Sequence, residues 1–127
     1  MPDADVDTLR RGYEALNQGD VSVVLELFDP DIEWHEPGDS PDAGTYQGRD
    51  SFERFLRGWI DSFEGFRVEP EQVVARDDKL IAVVHQSGHG RASGVRVEGR
   101  LAHVWTVKDG RAVRFESVAN PDAALGD

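Results

Sequence analysis

A chain of 127 residues with no cysteine and a net charge of −11 fits one domain, large enough to fold without a disulfide or metal staple. That charge repels phosphate backbones and anionic bilayers, so neither nucleic acid nor membrane is an expected partner, and its plain role is solubility. No apolar run approaches the roughly 18 residues of a membrane span, the acidic start MPDADVDTLRR lacks an apolar signal core, and the missing cysteines suit a reducing compartment, so a cytoplasmic location is expected.

In chain order, Val6, Leu9, Tyr13 and Leu16 recur at the spacing of one helix face. Asn17-Gln18-Gly19 closes this helix, with Gly19 suited to the left-handed position. Asp20 then caps a second short helix, VSVVLELF, which must stop before Asp29-Pro30. IEWHEPG, residues 32–38, alternates like a strand: Ile32, Trp34 and Glu36 share one face, Glu33 and His35 the other. An acid on an apolar face just before a Pro-Gly stop marks Glu36 for attention. PGDSPDAGTYQG reads as a loop, with Tyr46 either over a pocket mouth or on the surface. Asp50 and Glu53 have near capping-box spacing. Beyond them Phe52, Phe55, Leu56, Trp59, Ile60 and Phe63 form an aromatic helix stripe, the usual mark of a core and an available pocket wall.

From Phe66 the period changes to two. Four strands are predicted over about 66–75, 80–90, 95–107 and 112–119, with turns at Arg76 to Lys79, Gly90 to Gly94 and Lys108-Asp109-Gly110. Helices followed by an antiparallel meander give an α+β fold, helices on one face of a sheet. In the last hairpin a two-residue loop would pair Trp105 with Arg114, whereas a three-residue loop pairs Trp105 with Val113 and His103 with Phe115. The second keeps apolar groups together and puts Leu101, His103, Trp105, Val113, Phe115 and Ser117 on one face. A hairpin centred near Ala92 would bring Ile81, Val83 and His85 to that face too. Ala102, Val104 and Thr106 fall on the opposite face, which is apolar enough to suggest a contact surface.

The stretches YEALNQGDVSVVLELFDPDIEWHEPG, AGTYQGRDSFERFL and LAHVWTVKDGRAVRFESV together resemble the SnoaL-like branch of the nuclear transport factor 2-like superfamily, over about residues 6 to 118. The resemblance implies a cone-shaped curved antiparallel sheet wrapped around about three helices and enclosing a pocket, and homodimers paired through the outer sheet face. The superfamily spans ketosteroid isomerases, polyketide cyclases, epoxide hydrolases and dehydratases, so fold leaves function open. Matched to the ketosteroid isomerases, Glu36 stands at the general-base aspartate and His103 at the acid that donates to the developing oxyanion. Gly12 stands at their first-helix tyrosine, with Tyr13 next to it and about 100° around the helix. Asn120 stands where many SnoaL-like proteins carry an aspartate.

A carboxylate among Trp34, Trp59 and Trp105 would lose hydration and gain basicity. With His103 donating to an oxygen that gains negative charge, Glu36 suits proton abstraction next to a carbonyl. The plainer alternative is a satisfied buried pair that only holds the pocket's shape. Tyr13, Trp34, Tyr46, Phe55, Trp59, His85, Trp105 and Phe115 are the expected ligand-binding residues around a small apolar molecule. His85 and His89 in HQSGH would stand about 13 Å apart along a strand, too far to share an ion. Without HExxH, a P-loop or GxGxxG, no metal or nucleotide cofactor is expected. A cofactor-free isomerase, cyclase or dehydratase, a binding protein for an apolar or aromatic ligand, and a dimerisation module with a vestigial pocket all fit these residues.

Overall fold

The computed structural model describes residues 2–36 and 44–125. Helix α1 (Pro2–Asn17) buries Tyr13 and turns Val6, Leu9 and Leu16 onto the core. It ends where Gly19 takes φ 79° and the Asp20 N–H reaches back to the Ala15 carbonyl at 2.8 Å. Asn17 then clamps the next layer. Its amide donates to the Val68 carbonyl at 2.9 Å and accepts from the Val68 N–H at 2.7 Å, filling part of an open sheet edge as another strand would.

Asp20 caps α2 (Val21–Glu26), accepting from the Val23 N–H. This helix is shorter than the sequence suggested. Phe28 already belongs to strand β1 (Phe28–Glu36), because Pro30 bars further helix and Phe28 gains contacts with Phe52 and Trp105. The predicted loop also needs correction. Gly44–Gln47 is strand β2, antiparallel to β1 with Trp34 opposite Tyr46; the rest of that stretch, 37–43, lies outside the described residues. Helix α3 (Arg49–Ser62) is entered through Gly48 at φ 103°, not through Asp50. Asp50 sits inside the first turn, where a carboxylate still offsets the helix dipole, and Glu53 pairs with Arg57 at 2.8 Å.

The chain then runs through β3 (Phe63–Arg76), β4 (Lys79–Gly90), β5 (Arg96–Lys108) and β6 (Arg111–Val118), close to the predicted spans. The curved sheet has the order β2-β1-β6-β5-β4-β3, with β1 and β6 parallel and every other pair antiparallel. Two irregularities bend β3, one beside Gly65 at φ 67°, as bulges do in sheets that curl over helices. The core fills the concave side, between the sheet and the first three helices.

Both predicted hairpin registers differ from the structure. Asp109 and Gly110, both at positive φ, form a two-residue turn, and an irregularity beyond it at Thr106/Val107 pairs Trp105 with Phe115 and His103 with Ser117. The predicted partners were two residues away, so the parity, and with it the inward set, is the same. Between β4 and β5 the offset is one residue. His89 pairs with Arg96 across a six-residue turn, which puts Leu80 opposite Trp105 and Ala82 opposite His103. Leu80, Ala82 and Val84 therefore face inward, while Ile81, Val83 and His85 face outward.

Outside the sheet, Asn120 accepts from the Asp122 N–H at 3.0 Å and starts α4 (Pro121–Leu125) by ordinary N-cap chemistry, with Pro121 at the first helical position. Helix α4 touches β4, β5 and β6 without lining the inner cavity. Outward-facing Ile81, Val83 and Ala102 are also buried, although all three lie outside the main core.

Candidate functional site: an apolar cavity with one tethered histidine

A cavity of about 450 Å³ opens between α1, α3 and the concave face of the sheet. Its wall is built by periodicity. Leu9, Tyr13 and Leu16 come from one face of α1; Phe52, Phe55 and Trp59 from one face of α3; His103, Trp105 and Phe115 from inward strand positions. Aromatic rings run along it in contact, Phe52 on Phe115 at 5.5 Å, Phe115 on Trp105 at 4.5 Å and Phe55 on Trp59 at 6.2 Å. The charged lining residues are Asp5, half-buried, and Arg100 and Glu98, 60% and 47% exposed.

His103, half-buried, is the imidazole in this wall. It stacks on Tyr13 at 5.8 Å and meets Phe115 edge-on at 4.9 Å. The Tyr13 hydroxyl lies 2.7 Å from His103 Nδ1, and Trp105 Nε1–H donates to the same hydroxyl at 3.0 Å. Burial pushes the imidazole down to about 3, so it is neutral at physiological pH. Burial likewise raises the Tyr13 phenol, against the opposing pull of the Trp105 hydrogen bond, so it stays protonated.

Of the residues singled out by sequence, Tyr13, Phe55, Trp59, His103, Trp105 and Phe115 meet in this wall. Three do not. Trp34 is buried between Tyr46 and Phe52, each at 4.8 Å, behind the wall, and its Nε1–H has no acceptor among the described residues. Tyr46 lies on β2, 38% exposed, stacked on Trp34. His85 is a correction: the one-residue register difference turns it outward, where Nε2 lies 2.8 Å from a Glu98 carboxylate oxygen. Arg96 also bonds that carboxylate and, with the smaller influence of His85, lowers its pKa. Glu36 ends β1 opposite Gly44; its side chain lies outside the described residues.

The sequence did not reveal what the Tyr13 hydroxyl touches, since its partners are 90 and 92 positions away. It also missed the rim of Val97, Gly99 and Gln86, which correct β4–β5 parity would have shown. At Gly12 a Cβ would meet Leu27 Cδ1 at 2.8 Å, which a rotation of the leucine tip would relieve, and the hydroxyl comes from position 13 instead. No group of His, Asp and Glu suited to a metal occurs among the described residues.

With this geometry in place, the chain can be compared with known proteins. The model of the SnoaL-like domain matches residues 9–115. An uncharacterised protein of Mycobacterium tuberculosis is 32% identical over 123 residues, covering 95% of this chain and 93% of the relative. Bal32a, from a soil-derived mobile gene cassette, superposes with a TM-score of 0.81 at 30% identity, over 89% of this chain and 86% of its own. A proposed polyketide cyclase of Sinorhizobium meliloti superposes with a TM-score of 0.70 at 24% identity, over 87% and 93% of the two chains. That likeness is one of fold.

Proposed function

The chain belongs to the SnoaL-like domain family, and on that footing we propose that it takes up a small apolar molecule in the cavity and acts on it without a cofactor, removing a proton next to a carbonyl. The observation that carries this reading is a neutral imidazole, His103, placed in an otherwise apolar aromatic wall. In a site that excludes water, a fixed donor aimed at an oxygen gaining negative charge is worth far more than in solution. Glu36 takes the proton: the C–H bond breaks, its electron pair moves toward the carbonyl oxygen, and His103 donates to that oxygen. Returning the proton to another carbon of an unsaturated ketone completes an isomerisation; attack of the enolate on a second carbonyl, whose oxygen then takes the proton, gives an aldol-type cyclisation; loss of a β-hydroxyl as water, carrying the proton from Glu36, gives a dehydration. The fold likeness to a proposed polyketide cyclase makes polyketide-like rings the first substrates to try. Glu36→Gln keeps shape and removes basicity. The expected result is a loss of turnover of about 100-fold or more with binding retained; unchanged turnover ends the base assignment.

A second reading, a non-catalytic binder of an apolar or aromatic ligand, is favoured by one observation. Among the described lining residues the carboxylates, Asp5 and Glu98, do not touch His103. Quenching of tryptophan fluorescence by ligands that mass spectrometry recovers unchanged would select it. We also propose a homodimer through the outer sheet face. Since Ala102 is already buried, the contact would run over half-buried Val104 and Thr106, and light scattering of the purified chain tests it.

A further inference from the structure

The hydrogen bonds around His103 determine which of its nitrogens carries the proton. An indole N–H can only donate, so the Tyr13 oxygen accepts from Trp105 Nε1. The phenol proton then needs an acceptor, and among the described residues the His103 Nδ1 at 2.7 Å is the one within reach. Were Nδ1 to donate instead, the phenol proton of buried Tyr13 would have no partner, at a cost of about 1–3 kcal/mol. The chain therefore runs in one direction, Trp105 to Tyr13 to His103. It leaves Nδ1 as an acceptor already used and the imidazole proton on Nε2. That proton meets no acceptor among the described residues, and His103 lines the cavity.

We propose that Tyr13 and Trp105 are positioning residues that hold His103 in its Nε2–H tautomer, so that the cavity selects uncharged molecules presenting a lone-pair oxygen, such as a ketone, over both hydrocarbons and carboxylates. The selectivity rests on the reading of the cavity as a small-molecule site; the tautomer does not. A ketone oxygen satisfies the waiting donor. A hydrocarbon of the same shape leaves it unsatisfied, and a carboxylate must give up its hydration in an apolar wall whose cation, Arg100, lies at the exposed rim and is already paired with Glu71. The groups facing the imidazole are Tyr13 from α1, Ala82 from β4, Trp105 on its own strand, and Phe115 and Ser117 from β6. Of these Tyr13 alone titrates; Asp5, Glu98 and Arg100 are the charged groups elsewhere in the lining.

Nitrogen-15 NMR of the ligand-free chain tests the tautomer. The expected spectrum has His103 Nδ1 in the unprotonated range and Nε2 in the protonated range, with Tyr13→Phe giving a mixture of tautomers. A protonated Nδ1 in the unaltered chain, or an unchanged tautomer in a folded Tyr13→Phe chain, overturns the proposal, and the first result needs no variant to fold. Binding of 2-acetylnaphthalene, 2-ethylnaphthalene and 2-naphthoate tests the selectivity. The ketone should bind about five- to ten-fold tighter than the hydrocarbon, with a flat profile from pH 5 to 8 and 2-naphthoate weakest. Tyr13→Phe should cut the ketone-to-hydrocarbon affinity ratio to about two-fold, a change that lost packing, which weakens both ligands together, would not produce. Equal affinity of ketone and hydrocarbon, or a ketone affinity that rises as pH falls through the ordinary imidazole range, refutes the selectivity. Failure of all three to bind sinks the small-molecule reading and the selectivity with it, while the NMR result still decides the tautomer.

Discussion

His103 and His85 lie on neighbouring strands of one sheet, and their surroundings are opposites. His103 faces the concave side, enclosed by rings, its one strong partner a phenol. His85 faces the convex side, 30% exposed, beside a carboxylate that an arginine also holds. The residue type is the same, so the contrast comes from which face each occupies. On the inner face the protein withholds water and counter-charge, so the imidazole is forced neutral and can serve only as a hydrogen-bonding group. On the outer face the ring is open to solvent and lies 2.8 Å from a Glu98 carboxylate oxygen. The lesson is that function in this fold is assigned by strand parity before it is assigned by residue identity.

The largest break in the comparison should come from removing the inner wall. Trp105, 7% exposed, contacts Phe28, Phe115 and Tyr13 and supplies the indole N–H. Trp105→Ala should destabilise the chain by about 3–5 kcal/mol in urea unfolding. Thr106→Ala, the next residue on the outer face, should cost about 1 kcal/mol or less. Equal costs at the two positions would mean that the faces are not energetically distinct.

Acid should sharpen the same contrast. The folded His103 has its pKa depressed from the ordinary 6.5 to about 3, so between those values the unfolded chain binds a proton that the folded chain refuses. Stability is then full above pH 6.5 and falls as pH drops toward 3, by an amount on the order of a few kcal/mol for this group. His103→Gln should flatten the slope of stability against pH in that window. A wild-type slope retained in the His103 variant would show that this imidazole is not held neutral.

How much of this was legible depended on what kind of error a reading could absorb. Helix faces need only a period, and α1 and α3 offered one clean enough to place Tyr13, Phe55 and Trp59 in the wall. The four long strands were marked by Asp and Gly turns. The β5–β6 partners were two residues off, yet His103, Trp105 and Phe115 still came out facing inward, because an even error preserves parity. The β4–β5 offset was a single residue, which moved His85 to the wrong face. What decides it is backbone geometry in the turn: Gly94 at φ 70°, its N–H on the Gly90 carbonyl at 2.7 Å, and Gly90 N–H on the Val95 carbonyl at 3.0 Å. A run reading GRASGV does not announce that pattern. Strand β2 was obscured because four residues after a stretch rich in Pro, Gly and Asp show too little alternation to read. The Tyr13–His103 bond was out of reach because it joins two elements whose meeting is a property of the whole fold.

The smallest effect should come from the outer histidine's own partner. Glu98 has two close partners, Arg96 at 3.2 Å and His85 at 2.8 Å. Its side chain is 47% exposed, however, so water already solvates the carboxylate and salt screens the pair. Glu98→Gln should therefore leave the unfolding midpoint unchanged within error at neutral pH, both in dilute buffer and in 0.5 M salt. A clear loss of stability in dilute buffer that disappears in salt would mean that the convex face stores real electrostatic energy, and the division between a structural inner face and a solvated outer one would have to be redrawn. The net charge of −11 makes the opposite sign the more informative departure. If removing one carboxylate stabilises the chain at low ionic strength, self-repulsion across the acidic surface outweighs the local pairing, and the outer face acts on the fold through its total charge, not through any bond it makes.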